Sequence, residues 1–371
     1  MEDKRSNDTP CMFYDEMTPE GIVSVSQINT FLACRRRWHY AYREGLRQRR
    51  ERDYLTVGKL CHAGMEAAMK LRWLADQIGE DGHPECEATM GGMVKAGESA
   101  IQEMWDDYMS VTDFLAEELP EQRELLARAL DVFEEALEEF DPMRWMPLTV
   151  VRDGEPIPAL ELHFCVPCAG SEGLHGFIDA VLRDQETGQV WCVDYKFRRT
   201  LASDDDERFN LQNAVYMMAC RRMGVDVAGT MTWQRYNAPS AVPRFNQDGS
   251  VSRAKIRCTW TRYRRFLEEA GLDPADYAEM ADKLADVEMC RATREIRSDE
   301  MIDRVWDQVV EAASTEIGLI REGLSHMLCT PSMDPWTCRL CSFQSLCQAE
   351  LRGYDADYIR ETEYTLRSHR K

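Results

Sequence analysis

A chain of 371 residues, 44% of them hydrophobic, is long enough for one large domain or two modest ones and can supply a sizeable core. Its formal net charge of −21 excludes a protein that coats nucleic acid non-specifically, but not one that touches phosphates locally with the help of metal ions. No run approaches the ~20 consecutive apolar residues of a membrane helix, and the charged start Met1–Pro10 lacks the apolar stretch of a secretory signal, so a cytoplasmic protein with no membrane partner is expected.

Along the chain, residues 1–22 read as a loose, flexible leader. A helix opens at Ser24, with Ser24 or Ser26 as capping candidates and Ile28, Phe31 and Leu32 on one face. A second helix is expected from about Thr56 to Ile78. Residues 79–93, rich in Gly, Pro and polar groups, read as a loop. Val94 to Phe140 is helical in pattern and strongly acidic, so 79–146 has the character of a helical insertion capping the core. After Pro147 the runs Leu148–Val151, Ala159–Val166, Leu174–Leu182 and Val190–Tyr195 read as strands of one sheet, with a hairpin turn at Gln185–Gly188. Asp204 to Met223 is helical, Val227–Tyr236 is a further strand, and 237–257 is loop or hairpin. Two or three helices fill roughly 259–328, a cysteine-rich knot spans 329–350, and 351–371 is a charged tail. The order implies a mixed α/β core with large helical additions.

The most informative segment is Gly176-Phe-Ile-Asp179 followed, across the hairpin, by Val193-Asp194-Tyr195-Lys196. Each piece ends an apolar strand in an acid, and adjacent strands bring Asp179 and Asp194 to one spot, where two hard oxygen ligands suit Mg²⁺ or Mn²⁺. Side chains alternate along a strand, so Lys196 shares the Asp194 face while Tyr195 points away. Such a set fits phosphodiester hydrolysis: the metal activates water, and the lysine orients that water or stabilises transition-state charge. An Asp-x-Lys alone is more often a surface ion pair. Two further pieces favour chemistry. Gly58-Lys-Leu-Cys-His62 lies upstream and offers an imidazole ligand. Gln212-Asn-Ala-Val-Tyr216 lies downstream, its spacing placing both polar groups on one helical face. Glu66, one turn past His62, reads as a hydrogen-bond partner.

Fourteen cysteines without an export signal argue for metal ligation by some of them rather than a disulfide framework. Cys61, Cys192 and Cys220 lie in apolar or helical runs and read as buried thiols. Cys338-Arg-Leu-Cys341 and Cys347 need a fourth thiolate, for which Cys34 stands far upstream and Cys329 is the rival. Four thiolates suit zinc or a [4Fe–4S] cluster, and spacing alone leans to zinc. Cys165-Val-Pro-Cys168 has no partner pair and reads as a strand end and turn. Basic residues gather at Arg35–Arg37, at Arg47–Arg52 and at Lys196–Arg199, either as solvated faces or as a phosphate path. Trp38 and Tyr42 are core aromatics before they are stacking platforms.

The ordered set Gly-x-x-x-His, Gly-Phe-Ile-Asp, Val-Asp-Tyr-Lys and Gln-x-x-x-Tyr resembles the RecB-type branch of the PD-(D/E)XK nucleases. The resemblance implies a restriction-endonuclease-like mixed sheet flanked by helices, here over 23–350. It also implies metal ligation by His62, Asp179, Asp194 and the Tyr195 backbone carbonyl, a catalytic Lys196, and auxiliary or DNA-binding roles for Gln212 and Tyr216. Arg35, Arg36 and Arg198 are the candidate DNA contacts. One distant cysteine plus a C-terminal C-x₂-C-x₅-C is similar to the iron–sulfur nucleases, among them the AddB-type and the CRISPR-associated or phage RecB-like exonucleases. That similarity implies a [4Fe–4S] cluster on Cys34, Cys338, Cys341 and Cys347 joining the N- and C-terminal regions. The activity implied is exonucleolytic, on single-stranded or frayed DNA ends, in repair, recombination, phage replication or CRISPR adaptation, within the cytoplasm or that of a phage host. A structure-specific endonuclease and a non-catalytic DNA-end or partner-binding module are the alternatives. No Walker-type loop is present, so a helicase or recombination partner would be a separate protein.

Overall fold

The computed structural model describes residues 21–49, 53–80, 88–111, 118–323 and 329–366; most of the expected leader (1–20) lies outside them. At the centre is a seven-stranded mixed sheet: β1 (Ile22–Ser24), β2 (Trp145–Pro147), β3 (Leu160–Val166), β4 (Gly173–Asp184), β5 (Val190–Arg198), β6 (Gly229–Tyr236) and β7 (Cys290–Glu295). The long β4 organises it. One edge of β4 pairs antiparallel with β3 over residues 174–180 and with β2 over 182–184. The other edge pairs parallel with β1 at 173–175 and antiparallel with β5 at 180–183. Beyond β5 come β6, parallel, and β7, antiparallel.

Two apolar layers cover the sheet. On one face pack α1 (Val25–Ala33), α5 (Leu211–Arg222) and a helical run over 299–321, burying Ile28, Phe31, Ile178, Cys192, Tyr216 and Trp306. On the other pack α2 (Asp53–Glu80), α3 (Met90–Val111) and α4 (Leu119–Phe140) against Leu182, Val193, Tyr195 and Trp233. Ser24 caps α1 by accepting from the Gln27 amide at 3.1 Å, which satisfies one of the free donors at a helix start. Gln27 is buried and accepts from both Trp38 and Arg321, tying α1 to the C-terminal half of the chain.

Several expectations shift. Leu32 is half exposed, whereas Ile28 and Phe31 are buried. The helix expected near Val94 begins at Met90, and the acidic segment shares one core with α2 and the sheet. Thr149–Arg152 leaves the main sheet and pairs with Glu155–Pro158 as a separate hairpin. The region read as helices over 259–328 also holds β7. The tail is folded: Ala356–Glu363 is a helix, and Tyr364–Leu366 pairs antiparallel with Leu46–Gln48. No helix among the described residues is long and apolar enough to cross a membrane.

Candidate active site

β4 and β5 pair only from Ala180↔Val193 onward, so on that edge residues 176–179 have no strand beside them, and β5 continues past the gap held by β6 alone. The Tyr195 amide, freed from a ladder with β4, donates to Asp179 Oδ2 at 2.7 Å. Asp194 and Lys196 sit on one face of β5, their groups meeting at 2.7 Å between Nζ and Oδ1. The Tyr195 ring turns to the opposite layer against Phe140 and Trp233, as the strand alternation requires. On α5, Asn210 caps the helix start. Gln212 spans the centre from there, its Nε2 donating to Asp194 Oδ1 at 3.2 Å and to the Tyr216 hydroxyl. Its Oε1 lies 3.4 Å from Lys196 Nζ.

From the other layer α2 delivers His62, whose Nδ1 lies 3.5 Å from Asp179 Oδ2 and whose ring packs edge-on to Phe197. Glu161 of β3 completes the group: ligand atoms of His62, Glu161 and Asp179 all lie within 4.8 Å of one another. Glu161 takes a left-handed backbone (φ 41°) between the pairs Leu160↔Ala180 and Leu162↔Ile178, opposite Asp179.

Electrostatics bear the mark of crowded carboxylates. Burial, then the charges of Asp179, Glu66 and Asp194, push Glu161 up to about 8. Burial also raises Asp194, against the pull of Lys196. For Lys196 burial opposes the charge, but Asp194 and Asp179 outweigh it and hold the ammonium above its ordinary value. Asp194 is 1% exposed, and its Oδ2 has no hydrogen-bond partner among the described residues. A buried carboxylate oxygen without a partner is costly. Beside the His62–Glu161–Asp179 group, that oxygen and a nitrogen-plus-oxygen donor set fit a divalent cation.

The expected residues His62, Asp179, Asp194, Lys196, Gln212 and Tyr216 thus meet in one place, and Arg198 stands beside them, pairing with Glu207 at 2.7 Å. Arg35 and Arg36 belong elsewhere: Arg35 pairs with Glu316 at 2.5 Å and Arg36 with Glu350 at 2.9 Å, so both heads are committed within the protein. Trp38 is core. Sequence reasoning missed Glu161; its only signal was an acid in the apolar run Leu160–Val166, two residues off the expected strand start. Glu66, expected as a partner of His62, lies near enough for its charge to help raise Glu161.

A second constellation lies where the chain's two halves meet. Cys34, Cys338, Cys341 and Cys347 line one cavity of about 230 Å³ with Tyr40 and Phe343. Cys34 Sγ accepts from the amides of Arg37 and Ser332, and Cys341 Sγ from that of Phe343, while burial pushes the Cys341 and Cys347 thiols up. Cys329 lines a different cavity, with His39, Glu350 and Arg360.

A family model described as the PD-(D/E)XK nuclease superfamily matches residues 22–348. No curated protein matches the sequence.

Proposed function

The chain belongs to the PD-(D/E)XK nuclease superfamily, and on that premise we propose that it is a Mg²⁺- or Mn²⁺-dependent deoxyribonuclease of the RecB-like branch, acting as an exonuclease on single-stranded or frayed DNA ends. The observation that carries this reading is the convergence of His62, Asp179, Asp194 and Lys196 at the break in the β4–β5 ladder.

His62, Glu161, Asp179 and the free oxygen of Asp194 would hold the cation, with the Tyr195 carbonyl as a further donor. A divalent ion there supplies an acidified water and charge neutralisation at the phosphate. The protein's own groups do the rest. Lys196 stays charged beside Asp194, positioned to donate to a phosphate oxygen or to the attacking water. Gln212 fixes both partners, holding the Asp194 carboxylate and the ammonium in one geometry, and the Tyr216 hydroxyl anchors Gln212 in turn. Of the three arginines, Arg198 lies beside the site, its head held there by Glu207 and Gln234.

The same reading includes a [4Fe–4S] cluster on Cys34, Cys338, Cys341 and Cys347, supported by their common cavity and by the amides aimed at the sulfurs of Cys34 and Cys341. Repair, recombination, phage replication or CRISPR adaptation, with a separate helicase or recombination partner, is the setting that fits. The test is purification without oxygen, iron analysis, and a Mn²⁺ assay on linear and covalently closed circular DNA. Iron-bound protein that degrades only linear DNA is expected. Cutting of the closed circle would make it an endonuclease, and binding without cleavage would make it a DNA-end module.

A further inference from the structure

Strand alternation gives the β3–β4 hairpin two different faces. Leu162, Phe164 and Val166 of β3, with Leu174 and Ile178 of β4, point into the core. On the other face stand Glu161, His163 and Cys165, and opposite them Asp179, Phe177 and His175, in the register His163↔Phe177 and Cys165↔His175. The row that holds the metal-site acids therefore continues into three rings. Ring centroids lie 4.8 Å apart for His163 and Phe177, 5.8 Å for His163 and His175, and 6.5 Å for His175 and Phe177. His163 and Phe177 are half-buried and Cys165 is exposed.

This patch does not serve the core, whose apolar demand is met by the alternate residues. It lies one strand repeat, about 7 Å, from the acids, within the span of one nucleotide. It also carries unsatisfied chemistry. His175 is nine-tenths buried, and the Nε2 atoms of both His163 and His175 lack hydrogen-bond partners among the described residues. Arg152, on the adjoining Thr149–Arg152 strand, lines one cleft with His163 and Cys165. Among the described residues it makes no ion pair.

Resting on the nuclease reading above, we propose that His163, Phe177 and His175 form the seat for the unpaired nucleobase next to the scissile phosphate, with Arg152 on its backbone, which makes single-stranded DNA ends the substrate class. Aromatic groups on a sheet bind single strands by stacking on bases, and a base can be laid on a sheet only after leaving its pair. The half-buried rings of His163 and Phe177 offer the stacking faces, with the buried His175 ring packed against both from behind.

The test compares the full-length parent with Phe177→Ala, His163→Ala and Phe177→Tyr on a 20-nucleotide oligothymidylate and on a blunt 20-base-pair duplex in Mn²⁺. The two alanine variants should raise KM for the oligonucleotide about tenfold and leave kcat within about twofold. Phe177→Tyr, which keeps a ring, should restore the parent KM. In EDTA, a 2-aminopurine placed one nucleotide from the 3′ or the 5′ end should be quenched by the parent at one of those positions and not by Phe177→Ala. Unchanged KM in both alanine variants, or equal quenching by parent and Phe177→Ala, overturns the base seat while leaving the nuclease reading intact. That reading fails separately, if Lys196→Ala cleaves as fast as the parent. Should Phe177→Ala fail to fold, His163→Ala alone decides.

Discussion

Lys196 is held by a carboxylate on one side and an amide on the other, so its removal strikes the chemistry and also takes from the buried Asp194 its charged partner. Lys196→Ala is expected to lower kcat by about 10²–10³-fold, the usual loss for one transition-state donor, with the Mn²⁺ affinity measured by calorimetry close to that of the parent. Parent-like turnover would remove Lys196 from the mechanism. Glu161 makes the opposite kind of prediction. Its carboxyl, pushed up to about 8, keeps a proton in the folded protein that the unfolded chain gives up near the ordinary glutamate value. The metal-free protein therefore has its full stability below that ordinary value and loses part of it as pH rises towards 8. A cation must displace that proton, so Mn²⁺ should bind more tightly, with proton release, as pH climbs through the same window. Glu161→Gln should weaken Mn²⁺ binding by about tenfold or more and flatten both pH dependences. Calorimetry in buffers of different ionisation enthalpy reads both, and unaltered affinity would exclude Glu161 as a ligand.

At the scale of elements, α2 must lie flat on the sheet for His62 to reach Asp179, and Phe133 of α4 sets how α2 and α3 close over it. A Cβ on Gly64 of α2 would lie 2.6 Å from the Phe133 ring, and one on Gly97 of α3 would lie 1.9 Å from it. The ring is fully buried, so it has no solvent to retreat into. Gly97→Ala should cost about 1–3 kcal/mol by overpacking, read as a lowered thermal midpoint; an unchanged midpoint would show that the three helices adjust freely. None of this slot was legible in the sequence, because a helical glycine's neighbour is a tertiary fact. Long periodic or apolar runs were legible: α2, β3, β4, β5 and β6 fall close to their expected places, and the motifs on them brought His62, Asp179, Asp194, Lys196, Gln212 and Tyr216 together. What escaped depended on partners. Cys290–Glu295 reads Cys-Arg-Ala-Thr-Arg-Glu, too polar to announce a strand, and becomes one by pairing along β6. Leu148–Val151 looked like a sheet strand, but Pro156 and Pro158 on its partner suit an outlying hairpin rather than a central ladder. Glu161 was hidden because its role depends on a backbone twist and on the strand opposite.

For the whole molecule, the Leu46–Gln48/Tyr364–Leu366 pairing joins the first quarter of the chain to its last, and the cysteine cavity opens beside that junction. Tyr40, Leu46, Phe343, Leu346 and Tyr364 form a small core of their own around that junction. On the proposed cluster assignment, Cys34→Ser is expected to abolish iron retention and lower the thermal midpoint by several degrees, whereas Cys329→Ser should leave both at parental values. Full iron content in Cys34→Ser would remove it as a ligand. The strand at Leu46–Gln48 also has a consequence in time. During synthesis its partner is more than three hundred residues away, and at about 5–20 residues per second the ribosome takes roughly 16–60 s to deliver it. Ile22–Ser24 likewise waits for Gly173–His175. A nascent chain therefore emerges with both of its early strands unzipped, and a truncated translation product lacks the last stitch. The fold therefore closes only once synthesis has passed Leu366.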